Sequence, residues 1–449
     1  MTELYELTVH ESASLIRSGE VSPIDLVGSM LNQIRRLEPL LKAWVYLDED
    51  AVLKEAKLKD QQYKDGVDIG PLHGVPIGLK DIYHNASIPT TACSKVYANF
   101  VPDYDATTVS KLKQSGAIML GKTVTTEFAC SDPSPTVNPW NPAHTPGGSS
   151  SGSAVSVSSR MCPAALGSQT VGSVLRPASY NGVVGFKPTL GRVSRYGVVP
   201  VSWTLDTMGW MTRTVKDSAL LLSVMSGHDP NDPISSTESV SEFYGDSGAI
   251  TNPKIGVIRD FFVEKADLET QRKFFDIVDR LTSAGADVVE VRLPDSFSNA
   301  ISDQQLIMAV EGAAFHKPMF DVQAGDYQPG IRAMIQRGLD TDATSYSDAL
   351  ERRLRFVFDM DVMVSQADVL LTPTTPSPAL PDITNTGNTM FQGPWTYCGL
   401  PTITLPSGLS EGGMPLGIQL AGQRLNESLL LSVAAWCESV LGVNLNPNL

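Results

Sequence analysis

The chain has 449 residues, 42% apolar and 18% charged, with 49 acidic against 34 basic side chains and a net charge of −15. That balance supports an ample core and argues against nucleic acid or an anionic membrane surface as the main partner. Five scattered cysteines without CxxC spacing, a charged N-terminus and the lack of any stretch near the roughly 18 apolar residues of a span point to a reducing, cytoplasmic setting.

Two amphipathic helices open the chain. Thr8 and Glu11 form a capping box, Ser22-Pro23 is an N-cap followed by proline at the first helical position, and Leu26, Met30, Ile34 and Leu37 recur at helical spacing. Glycines and prolines then bound a short strand within Gly70–Ile82 that delivers Lys80 into an apolar neighbourhood. A helix near Thr107–Ser115 and a strand at Ala117–Leu120 follow. Gly182–Thr189 reads as a strand, as do Lys254–Ile258, Ala367–Thr374, Pro401–Leu405 and Leu416–Ala421. The last helix runs from an Asn426 cap to a Gly442 stop. These elements predict an α/β protein of one large domain over residues 1–449, with a central mixed sheet covered by helices on both faces. Its core is expected over 60–230 and 367–441, with a more variable helical segment over about 235–366 covering one side.

The stretch from Thr145 to Pro177 organises the rest. It holds nine serines and five glycines, yet apolar residues such as Ala154, Val155, Val157 and Leu166 interrupt it. A flexible linker would lack them. The pattern suits buried, tightly turning backbone, and buried hydroxyls must be hydrogen-bonded, so the serines form a network.

Three motif matches are decoys. Gly116–Thr123 fits GxxxxGK[ST], but Ala-Ile-Met-Leu in its middle favours a buried strand over a phosphate-cradling loop; Lys122 is accordingly expected to be dispensable for activity. Gly148–Gly152 fits GxSxG, but the Pro/Asn-rich residues before it cannot form the strand that a nucleophile elbow needs. Ser110–Lys113 fits SxxK on a plain surface-helix pattern. The six histidines show no paired metal spacing, so neither a metal nor another cofactor is expected, and a hydrolase here must work without histidine as its base.

The segments GPLHGVPIGLKD, GGSSSGSA, GSQTVGSVLRPA and GVVGFKPT, with the later WTYCGLPTITLPSG and GMPLGIQLAG, resemble the amidase signature family in order and spacing. The similarity covers about Leu15–Gly227 and Ala367–Leu441 and is strongest to small-molecule amidases and urethanase-type members. The resemblance implies a cofactor-free Ser–cisSer–Lys triad. Ser173 is the nucleophile, Ser149 is the bridging serine after a cis peptide bond, and Lys80 is the base. Backbone amides of Thr170, Val171, Gly172 and Ser173 are the implied oxyanion hole, with Ser150 and Ser168 hydrogen-bonding the triad. Thr126, Cys130, Arg176, Phe391 and Trp395 are candidate substrate contacts.

The chemistry fits these residue types. A serine hydroxyl needs a neighbour to take its proton, and a lysine does so only when neutral, which at its ordinary pKa near 10.4 holds for about one molecule in a thousand at pH 7.4. The fold must therefore supply roughly 3–4 kcal/mol of pKa depression.

The chain departs from the family pattern at three places. Val171 stands where a glycine is usual and is strained if the position needs positive φ; otherwise it narrows the pocket. Arg176 lies three residues after the nucleophile instead of two, where it binds an acidic substrate group or forms a structural ion pair. Cys93 replaces the glycine of a Thr-Thr-Ala-Gly-Ser pattern. The expected function is hydrolysis of small-molecule amides or carbamates through an acyl- or carbamoyl-enzyme, by a monomer or homodimer without nucleic-acid or membrane partners. The alternatives are the amidase-like subunit of a tRNA-dependent amidotransferase and a non-catalytic binding protein of the same fold.

Overall fold

A computed structural model describes residues 3–67, 70–239 and 250–449. Residues 240–249, part of the segment expected to be variable, lie outside the described residues.

Eleven strands form one mixed sheet. In chain order they are β1 (Trp44–Tyr46), β2 (Pro76–Lys80), β3 (Ile118–Thr123), β4 (Ala164–Gln169), β5 (Val184–Lys187), β6 (Thr207–Thr212), β7 (Lys254–Val257), β8 (Asp287–Glu290), β9 (Val369–Pro373), β10 (Thr402–Leu409) and β11 (Pro415–Gly422). Across the sheet they run β1-β3-β2-β4-β6-β5-β10-β11-β9-β7-β8. β2 pairs in parallel with β3 and β4, and β7 with β8 and β9, while the remaining neighbours are antiparallel. The segment 235–366 therefore not only covers the sheet but extends it through β7 and β8.

Alternate residues of a strand face opposite sides. Leu166 and Trp210 enter one apolar cluster with Ile77, Leu79 and the helix Glu427–Leu441. Ala165 and Met211 enter another with the helices Pro23–Leu41 and Ser151–Ser158. Helices thus cover both faces.

The opening helix is Val9–Ser18, with the Thr8–Glu11 capping box present, and Ser22 caps the second at Asp25 N–H. β3 runs on through Gly121-Lys122-Thr123, so the string that mimics a phosphate loop is strand to its end. Lys122 is fully buried, 3.6 Å from the carboxylate of Asp81, and donates to Tyr83 O and Thr90 Oγ1. This corrects the expectation of a dispensable surface lysine. Removing it strands Asp81 without a counter-charge.

The serine-rich stretch is buried almost without interruption. From Thr145 to Thr189 only Val171 and Ser173 are partly exposed. It contains the helix Ser151–Ser158, then β4, then the helix Leu175–Asn181. Gly152 is required by close approach, because a Cβ there would sit 2.3 Å from Ala43 O and 2.5 Å from Val124 N. Cys93, in the usual glycine position, has φ of 49°. That backbone favours glycine, and the thiol makes up part of the difference by accepting from Thr125 N–H at 3.4 Å.

The chain ends are joined by a half-buried acid. Glu438 accepts from Val215 N–H at 3.0 Å, and burial beside Asp217 pushes its carboxyl up to about 7. A carboxyl whose folded pKa is raised binds more protons folded than unfolded, so stability falls as pH rises from about 4.5 to about 7. Glu438→Gln keeps the acceptor without the charge. It is expected to raise stability at pH 8 by about 1–2 kcal/mol and to leave it unchanged near pH 4, in urea titrations at the two pH values.

Candidate active site

Four neighbouring pieces of chain build the site: the end of β2, the loop before the helix Ser151–Ser158, the end of β4, and the loop from Thr170 to Val174. Parallel pairing of β2 with β4 sets Gly78 opposite Ala165 and brings Lys80 and Ser168 together at the strand ends. Lys80 Nζ lies 2.7 Å from Ser149 Oγ and 2.9 Å from Ser168 Oγ. The Gly148–Ser149 peptide is cis.

Lys80 is wholly buried, and burial pulls its pKa from 10.5 down to about 7; Asp206, Cys130 and Cys93 pull weakly the other way. Its sequence neighbour Asp81 does not reach it. That carboxylate is taken by Thr91 N–H and Oγ1, Cys93 N–H and Lys122. Roughly two-thirds of a lysine with a pKa near 7 is neutral at pH 7.4. A neutral amine has two N–H groups and one lone pair, so an N–H directed to Ser168 leaves the lone pair for the hydroxyl of Ser149.

Ser173 is partly exposed and lines a cavity of about 590 Å³ together with Thr170, Val171, Cys130 and Arg176. Among the described residues its hydroxyl has no hydrogen-bond partner, and the link from Ser149 to Ser173 is open in this structure. Catalytic hydrogen bonds are commonly long before a substrate closes them.

The loop beside Ser173 has a definite polarity. Each of its carbonyls is held: Thr170 O by Gln304 Nε2 at 3.0 Å, Val171 O by Thr396 Oγ1 at 2.9 Å, Gly172 O by Arg176 N–H at 3.1 Å and Ser173 O by Ser150 N–H at 3.3 Å. Thr170 Oγ1 donates to Asp206, and Gln169 Oε1 takes the amides of Val174 and Leu175. Among the described residues no acceptor meets the N–H groups of Val171, Gly172 and Ser173. Three unpaired amides beside a free hydroxyl make a receptor for an oxyanion.

Val171 does not take a positive φ, so the valine is unstrained and its side chain narrows the cavity. Gly172 is fixed by space, since a Cβ there would stand 2.7 Å from Gln392 Oε1. Ser150, the decoy nucleophile, is fully buried, and its Oγ accepts from Ser168 N–H at 3.4 Å.

The proposed substrate contacts divide. Cys130 and Arg176 lie on the cavity wall. Thr126 is buried behind it, its hydroxyl donating to Cys130 O and its N–H to Ser149 O. Phe391 and Trp395 correct the expectation of an aromatic acyl pocket, for both are fully buried among aromatic residues, with Trp395 stacked on Phe262 at 5.4 Å. Sequence reading missed Gln304, Thr396, Gln169 and Asp206. Only Gln169 and Thr396 lie inside motifs; nothing in the helix carrying Gln304 marks it.

The sequence matches the model of the family described as Amidase over residues 25–431. The chain belongs to the amidase signature family. Among curated relatives of this amidase, a glutamyl-tRNA(Gln) amidotransferase subunit from Desulforapulum autotrophicum is 34% identical over 96% of each chain. The corresponding subunit from Carboxydothermus hydrogenoformans is 36% identical over the same shares. The native peptide amidase of Stenotrophomonas maltophilia has a TM-score of 0.89 at 30% identity, covering 99% of this chain and 98% of its own. A chain of a vestigial protein complex described as revealing the origins of an s-triazine catabolic enzyme has a TM-score of 0.91 at 27% identity, covering 99% of this amidase and 100% of its own length. The helices on both faces and the mixed sheet are those of the family fold. No helix among the described residues of the amidase is long and apolar enough to cross a membrane.

Proposed function

We propose that the chain hydrolyses small-molecule amides or carbamates, with Ser173 as nucleophile, Ser149 as proton relay and Lys80 as base. One observation carries this reading: a fully buried lysine, held near neutrality and 2.7 Å from Ser149, beside a serine whose hydroxyl is free on a cavity wall. Substrate binding draws Ser173 Oγ toward Ser149. Ser173 then adds to the carbonyl carbon as its proton passes through Ser149 to Lys80. The N–H groups of Val171, Gly172 and Ser173 meet the oxyanion. Lys80 returns the proton through Ser149 to the leaving nitrogen, the C–N bond breaks, and an acyl- or carbamoyl-Ser173 remains. Water takes the same path in reverse and frees the acid.

The test is fluorophosphonate labelling followed by peptide mapping. One adduct on Ser173, lost in Lys80→Ala, is expected, and the labelling rate should climb with pH to a plateau above about 7. An adduct on Ser150, or no adduct, would overturn the mechanism.

A second reading is favoured by the 34–36% identity to amidotransferase subunits over nearly full length. In that role the chain would co-purify with partner proteins and need them for its activity. Full turnover of an amide by the isolated chain decides against it.

A further inference from the structure

Arg176 is fully buried on the cavity wall, three residues beyond Ser173 on the same turn of chain. Among the described residues no carboxylate pairs with it. A guanidinium carries five N–H donors. Here one Nη2 hydrogen goes to Gly148 O at 2.7 Å, one Nη1 hydrogen goes to Gly387 O, and Nε, itself buried, has no partner. Two of five donors are used, both on neutral carbonyls.

The contrast with the other buried cations is informative. Lys122 has Asp81, Arg192 has Glu427 and Arg195 has Asp232. A buried cation left with carbonyls alone is expensive, and that expense is recovered when a charged acceptor arrives. Burial without a counter-ion has already lowered the Arg176 pKa to about 10. The rest of the wall agrees in sign. Arg337 stands exposed at the rim, and the lining's acid, Asp382, is exposed and occupied by Thr384 N–H and Oγ1.

We infer that Arg176 receives a carboxylate carried by the substrate, so that the preferred substrates are amides bearing an anionic group a few bonds from the scissile carbonyl. This rests on the amidase reading above and names its substrate class. The carboxylate completes the donors left open on the guanidinium and fixes the carbonyl over Ser173. Gly148 O and Gly387 O, which hold the other face of the fork, keep the arginine from swinging out of the wall.

The test uses two matched pairs of probes with the full chain. Succinamic acid against butyramide places the charge on the acyl side, and N-acetylglycine against N-propylacetamide places it on the amine side. In at least one pair kcat/KM should favour the anion by about 30-fold or more, and Arg176→Gln should shrink that ratio to within about threefold. Equal turnover of charged and neutral probes by the wild-type protein would overturn the inference. So would an Arg176→Gln variant that slows both members of the preferred pair by one common factor, the mark of a purely structural tie.

If Arg176→Gln does not fold, wild-type protein still decides. Succinate should protect Ser173 from fluorophosphonate labelling where sodium chloride of equal ionic strength does not, and lack of protection counts against the anion site. Turnover of neutral amides with Ser173 labelled, but no anion preference, removes this inference and leaves the hydrolase reading standing. Neither labelling nor turnover takes down both.

Discussion

Ser173→Ala is expected to lower kcat for any amide substrate by at least about 10⁴-fold while leaving the fold intact. The size follows from the loss of the covalent route, since removing a serine nucleophile in enzymes of this kind leaves only what binding and oxyanion stabilisation supply. The harmlessness to the fold follows from local structure. Ser173 is partly exposed, its hydroxyl makes no hydrogen bond to a described residue, and its carbonyl, which Ser150 N–H holds at 3.3 Å, is unaffected by the substitution. Unfolding should shift by less than about 0.5 kcal/mol. Steady-state turnover with urea unfolding of the same preparations measures both. Activity within about tenfold of wild type would remove Ser173 from the chemistry.

Lys80→Met should also abolish turnover, yet change stability in the opposite sense from Lys122→Met. Both lysines are fully buried on adjacent strands. Lys122 has Asp81 at 3.6 Å, and its loss leaves a buried carboxylate unpaired, which destabilises by about 3–5 kcal/mol. Lys80 has only hydroxyls. Its pKa, lowered from 10.5 to about 7, corresponds to as much as about 5 kcal/mol of penalty when the unfolded chain is protonated. Methionine removes that penalty but orphans Ser149 and Ser168, at about 1 kcal/mol each or more. A net gain of about 1–3 kcal/mol is expected at pH 7. The pH dependence gives the sign. Between pH 7 and 10 the unfolded state holds a proton on Lys80 that the folded state lacks, so wild-type stability rises with pH across that window and Lys80→Met flattens the rise. A Lys80→Met protein less stable than wild type at pH 7 would mean that the lysine is not held neutral.

What could be read from sequence was local. The lysine at the end of a glycine-bounded apolar strand, the small-residue stretch and the capping boxes each carry their signal within a dozen residues. Rejecting the phosphate-loop match needed only the four apolar residues in its middle. What escaped depends on packing. Ser151–Ser158 is helical despite poor propensities because burial overrides them. Gln304 reaches Thr170 O from a helix more than a hundred residues away in sequence, and no periodicity in that helix distinguishes one polar residue from the next. Phe391 and Trp395 lie close to motif residues in sequence, but adjacency did not tell which way their rings turn, and they turn into the aromatic cluster around Phe262. Val171 needed a backbone angle to settle.

The rims of the sheet bear on how copies of this chain can meet. One rim is β1, three residues long, and the other is β8, where exposed Asp287 and Glu290 flank two half-buried valines. Short or acid-flanked borders are poor templates for a further strand. Self-association by continuing the sheet is therefore disfavoured from both sides, and a homodimer of this chain has to be built from helical surfaces, leaving each copy's eleven strands a closed count.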